Sequence, residues 1–237
     1  MKVEPVIRLA GLCLALSLAA PALAQEPVPA PQKAAVSAPN AADLLFEQPQ
    51  MRNAAPGSTL TYAYVRRSGI AKAPFGPNLD DTIKLAIEPG KGADERTIRV
   101  QMFSGMNRFP AGPFEDMPGN PIIPLFLENH LRGLAKALEA NPRYLKLAIR
   151  KGMRERATVT PVKVPYQGRE VDGWRITMKP FEGDPLAQRM RGLDNLAYTF
   201  VTAPEVPGEI VSIEASSRNA EGGELLEERL SYDPKAG

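Results

Sequence analysis

The sequence predicts an α+β fold: a curved antiparallel sheet of about eight strands packed on a helical pair. Three observations predict it. Most of the chain after residue 57 alternates apolar and polar residues with period two, the mark of strands with one wet face. One stretch, residues 121–156, carries a helical period instead. Strands and helices are not interleaved as strand–helix–strand units, which disfavours a doubly wound parallel sheet.

The chain begins with an export signature. Lys2 and Arg8 supply a charged start, residues 9–20 form a short apolar run, and Ala22-Leu23-Ala24 fits small-x-small cleavage. Residues 1–24 are therefore expected to be a signal peptide cut between Ala24 and Gln25, and the protein to be periplasmic or secreted. The single cysteine, Cys13, lies in the apolar run, so the cleaved chain would have no disulfide or thiolate chemistry. Residues 25–57 are rich in Pro and Ala, a composition that buries little, and predict a linker carrying one short helix over residues 41–47. It is either a spacer from an envelope surface or a loose tail. Residues 58–234 are expected to form a single domain.

Within that domain the predicted strands follow in order. Leu60, Tyr62 and Tyr64 alternate with polar or small neighbours, as do Ile83, Leu85 and Ile87, and then Ile98, Val100 and Met102. After the helices come Val162, Val164 and Tyr166; Trp174, Ile176 and Met178; Leu196, Tyr198 and Phe200; Val211, Ile213 and Ala215; and a last run over residues 226–232. Gly- and Asn-containing turns separate several of them. In the helical stretch, Ile123, Leu127, Leu131, Leu134 and Leu138 recur at steps of four or three and form one apolar stripe. After Asn141-Pro142 a second stripe runs through Leu145, Ala148, Ile149, Gly152 and Met153.

Few residues point to chemistry. Lys and Arg number 29 against 27 Asp and Glu, a net charge of +2 that argues against a general nucleic-acid binder. His130 is the only histidine; no second metal ligand stands at a suitable spacing and no Gly-x-Ser-x-Gly elbow accompanies it. It reads as a histidine at the edge of the apolar stripe, bonded to a neighbour, with a His130-dependent hydrolase as an alternative. Adjacent carboxylates (Asp80-Asp81, Glu115-Asp116, Glu227-Glu228) would point to opposite faces of a strand, so none is a ready acid/base pair. No catalytic residue, metal site or cofactor is predicted, and the protein is expected not to be an enzyme. Trp174 reads as a core residue of its strand.

Two stretches suggest binding. Arg143, Lys146, Arg150 and Arg154 recur at helical spacing and make a basic face, suited to an anionic membrane surface or an acidic envelope protein, or else simply solvated. Residues 103–120 read as a long loop rich in large apolar groups. Phe103, Met106, Phe109 and Phe114 would form a lid, with Phe109 and Phe114 as its gate, over a concave apolar site completed by Leu127 and Leu131; the other reading is a loop that plugs its own core.

The order of elements, with Tyr166-Gln-Gly-Arg-Glu-Val-Asp-Gly-Trp174, Pro207-Gly-Glu-Ile-Val-Ser-Ile213, Gly222-Gly223 and Leu230-Ser-Tyr232, resembles the periplasmic lipoprotein-carrier family and its relatives. The resemblance implies a half-open barrel whose concave side takes acyl chains. The expected function is thus an exported, non-enzymatic binding protein for a lipid-like or acyl ligand. The alternative is a structural or interaction protein of the envelope with no cavity.

Overall fold

The computed structural model describes residues 38–69, 75–219 and 222–236. The expected signal peptide, Cys13 and the start of the expected linker lie outside the described residues.

The alternating runs become strands β1 (Thr59–Ser68), β2 (Leu79–Pro89), β3 (Arg96–Met102), β5 (Thr158–Tyr166), β6 (Arg169–Met178), β7 (Ala197–Thr202), β8 (Ile210–Arg218) and β9 (Glu224–Tyr232). A ninth strand, β4 (Phe109–Met117), precedes helices α1 (Ile122–Leu138) and α2 (Pro142–Lys151). All nine belong to one antiparallel sheet in the order β4-β3-β2-β1-β9-β8-β7-β6-β5. The sheet is open and curved.

The topology explains where the helices must lie. Two meanders, β1–β4 and β5–β9, are joined side by side through β1 and β9, so β4 and β5 are the opposite edges. The helical hairpin is the only link from one edge to the other and has to cross a face. That face is set by register: Tyr62 pairs with Ile83 and Ile83 with Met102, while Tyr64 pairs with Leu230 and Leu230 with Ile213. These side chains are buried together with Ile123, Phe126, Leu134, Leu145 and Ile149 of the helices. Trp174 is only half-buried at the margin of this core. A smaller cluster of Val164, Val171, Ala203 and Val206 forms separately.

Two expectations need correction. Residues 103–120 are not a lid-like loop, because residues 109–117 pair with β3 as the edge strand β4. Pro110, Gly112 and Pro113 are acceptable there because an edge strand has a neighbour on one side only, and Gly112 adopts φ 87° where the register shifts. Prolines also stand on the other edge, at Pro161 and Pro165 of β5, removing donors that a docking strand would need. The expected linker, in turn, ends well before residue 57. Ala41, Leu45, Met51 and Ala54 are buried in the main core. Their backbone is held by polar side chains: Arg96 donates to the Ala54 and Arg52 carbonyls at 2.8 and 2.9 Å, and Gln50 donates to Leu44 and Leu45.

Asn120 joins this segment to the sheet and to α1. Its backbone N–H donates to Gln50 Oε1, its amide donates to Tyr62 Oη at 3.1 Å and Gly208 O at 2.9 Å, and its Oδ1 accepts from Ile122 N at 3.0 Å. Asn120→Ala is expected to cost about 2–3 kcal/mol, since it strands buried polar partners. Urea unfolding with an unchanged slope would show it; a loss below ~0.5 kcal/mol would mean the network is idle.

Candidate functional site

A groove of about 380 Å³ lies in the gap between α1 and α2. Helical spacing builds its floor: Leu127 and Leu131 stand one turn apart on α1, while Ile149 lies on α2 and Met153 four residues on, in the helical turn Gly152–Arg156 that continues it. Ala42 and Phe46, from the segment before β1, and Pro124 form further wall. The same spacing places Lys146, Arg150 and Arg154 along one rim, with Glu47 and Glu128 also on the lining. Lys146 is paired with Glu128. Arg150 and Arg154 have no ion-pair partner among the described residues. Phe46 is 42% exposed, so part of this apolar surface faces solvent.

The structure thus unites some of the residues singled out in the sequence and separates others. Leu127, Leu131, Lys146, Arg150 and Arg154 share this groove; Arg143 is exposed but does not line it. The aromatic residues expected as a lid are elsewhere. Phe103 is buried with its ring 4.9 Å from Tyr64, Phe109 sits on β4 with its ring 5.9 Å from Phe103, and Phe114 packs half-buried on the core. Met106 is fully exposed on a short helical turn. Phe109 and Phe114 therefore gate no site over Leu127 and Leu131, because β4 is tied to the sheet edge. The groove is lined by helical residues and by none from a strand, so it lies within the helical layer rather than between helices and sheet.

A second polar constellation lies where α1 meets β1 and β9. Leu226, Glu228 and Leu230 occupy the inward positions of β9, which buries the Glu228 carboxylate in the core. Tyr64 Oη donates to Glu228 Oε1 at 2.5 Å, and His130 Nδ1 lies 2.7 Å from Glu228 Oε2, as a donor if the proton sits there. Burial pushes the Glu228 carboxyl up, but the His130 charge and hydrogen bond, the Tyr64 hydroxyl and nearby Arg66 outweigh it and hold the carboxyl below its ordinary range. Burial, with the Glu228 charge, raises Tyr64 and Tyr198 well above a normal tyrosine. His130 is closed in by Phe75, Phe126 and Tyr198. Its Nε2 and the Tyr198 hydroxyl are buried with no partner among the described residues.

His130 is thus bonded to another side chain, but deeper than the edge of an apolar stripe suggests. Glu227 and Glu228 do point to opposite sides, yet the inward one is the residue that anchors the histidine, and reading the pair only as an acid/base candidate misses it. The signal was there: Leu226-x-Glu228-x-Leu230 puts a carboxylate on an apolar face in a chain with one histidine.

Among the described residues, no group of three His, Cys, Asp or Glu side chains is placed to hold a metal ion, and no helix is long and apolar enough to cross a membrane. No protein-family model matches the chain, and no curated protein matches it significantly.

Proposed function

We propose that this chain is an exported, non-enzymatic binding protein that holds an amphiphile, an acyl chain with an anionic head, in the groove between α1 and α2. The observation that carries the reading is the pairing of an apolar floor (Leu127, Leu131, Ile149, Met153) with a rim on which Arg150 and Arg154 lack carboxylate partners among the described residues. Each methylene buried on such a floor contributes about 0.8 kcal/mol, and the guanidinium groups would meet the head group at the water boundary. The resemblance in element order to lipoprotein carriers supports the ligand class, although the site differs from the concave side which that resemblance implied.

The test is titration of the purified protein with a fluorescent fatty acid, with native mass spectrometry for lipid retained from the cell. Wild type is expected to bind. Leu127→Asp places a carboxylate on the floor and is expected to weaken binding at least tenfold, about 1.4 kcal/mol. Arg150→Ala with Arg154→Ala is expected to weaken it roughly threefold to tenfold, with less effect on an uncharged acyl probe. A second reading, an envelope interaction protein without a ligand, is favoured by the filled interface between sheet and helices. Absence of both retained lipid and probe binding would move the assignment there.

A further inference from the structure

A second cleft opens at the other side of α1, about 180 Å³ in volume, and its charge is one-sided. Arg66 of β1 and Arg132 and Lys136 of α1 line it, with Asn129 and Glu228. Arg132 and Lys136 are one helical turn apart, so both side chains rise on the same side of α1. Both are exposed and neither has an ion-pair partner among the described residues. Arg66 is positioned from behind: its Nε and Nη2 donate to the Pro77 carbonyl at 3.2 and 3.1 Å. The one carboxylate present is already engaged. Its side chain is 2% exposed, and Tyr64, His130 and Asn129 bond to it. Phe75 closes a wall by lying against Gly133, where an added Cβ would come within 2.4 Å of the ring.

We propose that this cleft is a binding site for a tetrahedral oxyanion, a phosphate or phosphate monoester, separate from the acyl groove and independent of it. Three cations line a space of small-anion size; Arg66 also acts on the buried Glu228 carboxylate, so Arg132 and Lys136 carry the unpaired charge. The Arg132 guanidinium offers a planar fork that matches phosphate oxygens, the Lys136 ammonium adds a point charge, and Arg66 contributes its positive charge while its Nε and Nη2 hold the Pro77 carbonyl. The Asn129 amide, whose contact with Glu228 is long at 3.4 Å, supplies a neutral donor at the same mouth. Such an anion could arrive free or as the head of a phospholipid; the recognising chemistry is the same.

The experiment is calorimetric titration of the full chain with inorganic phosphate at low ionic strength, against sodium chloride at matched ionic strength, and in parallel sedimentation with vesicles containing phosphatidic acid. Wild type is expected to bind phosphate, or phosphatidic acid vesicles, beyond the chloride control. The double variant Arg132→Ala/Lys136→Ala, at exposed positions and with an unchanged circular dichroism spectrum, should lose at least tenfold in affinity. Arg150→Ala/Arg154→Ala should leave phosphate binding unchanged, which separates this site from the groove. Phosphate binding lost in the first double variant supports a free anion. Vesicle binding lost in that variant, without inorganic phosphate binding, supports a lipid head group. Phosphate indistinguishable from chloride together with vesicle binding equal in both chains, or wild-type phosphate affinity in Arg132→Ala/Lys136→Ala, overturns the proposal.

Discussion

Glu228→Ala is expected to destabilise the protein by about 3–5 kcal/mol, the usual cost of removing one partner from a buried ionic pair. The loss is large because the carboxylate is shared: Tyr64 donates to one oxygen and His130 faces the other, and both of these groups are themselves buried. A double variant, Glu228→Leu/His130→Leu, removes both members and is expected to recover most of that loss, since buried pairs replaced together by apolar groups are often near neutral. The pH dependence has a definite sign. The folded carboxyl lies below its ordinary value of 4.5, so the unfolded chain binds more protons as the solution is acidified. The contribution of the Glu228 carboxyl is complete above about pH 5, and it is lost as pH falls through 4.5 toward the folded value. Urea midpoints across this range should drop more steeply for wild type than for the double variant. Parallel curves would show that the Glu228 charge adds nothing to folding.

The contrast between β9 and β4 shows what the sequence made legible. Eight strands could be read because apolar residues recur at alternate inward positions: Leu60, Tyr62 and Tyr64 on β1, Ile98, Val100 and Met102 on β3, and Leu226 and Leu230 on β9 with Glu228 between them. β4 could not, because Pro110, Gly112 and Pro113 are breakers in any interior strand, and only its place at the sheet edge makes them tolerable. That place is a property of the whole topology. The same holds for the groove. Helical spacing predicted the stripe through Leu127 and Leu131 and the basic series Lys146, Arg150 and Arg154, since both are local. It could not say that α1 and α2 leave a gap where these rows meet, or that Phe46 would come from residues eighty positions earlier in the chain than Phe126. The aromatic residues of 103–120 serve the core and the edge strand: Phe103 and Phe114 pack on the core, and Phe109 and Phe114 stand on β4.

The segment before β1 carries the second large effect. Leu45 and Met51 are 1% and 0% exposed, and Arg96 donates through Nε and Nη2 to two carbonyls of this segment. A Pro- and Ala-rich stretch with isolated apolar residues has no period to reveal such burial. Met51→Ala is expected to cost about 2–5 kcal/mol as a large-to-small change in a filled core, and Leu45→Asp at least as much because it buries a charge. A chain that starts at Gly57 loses both anchors and leaves Arg96 without its Ala54 and Arg52 acceptors; a total of more than about 5 kcal/mol would take a domain of ordinary stability to the edge of unfolding. It would also remove Ala42, Phe46 and Glu47 from the acyl groove. The expected result is therefore coupled: a sharply lowered melting temperature and loss of fatty-acid binding in the shortened chain, but reduced stability with binding kept in Met51→Ala, whose side chain does not line the groove. A shortened chain as stable as the full one would mean that residues 41–54 rest on the core without supporting it.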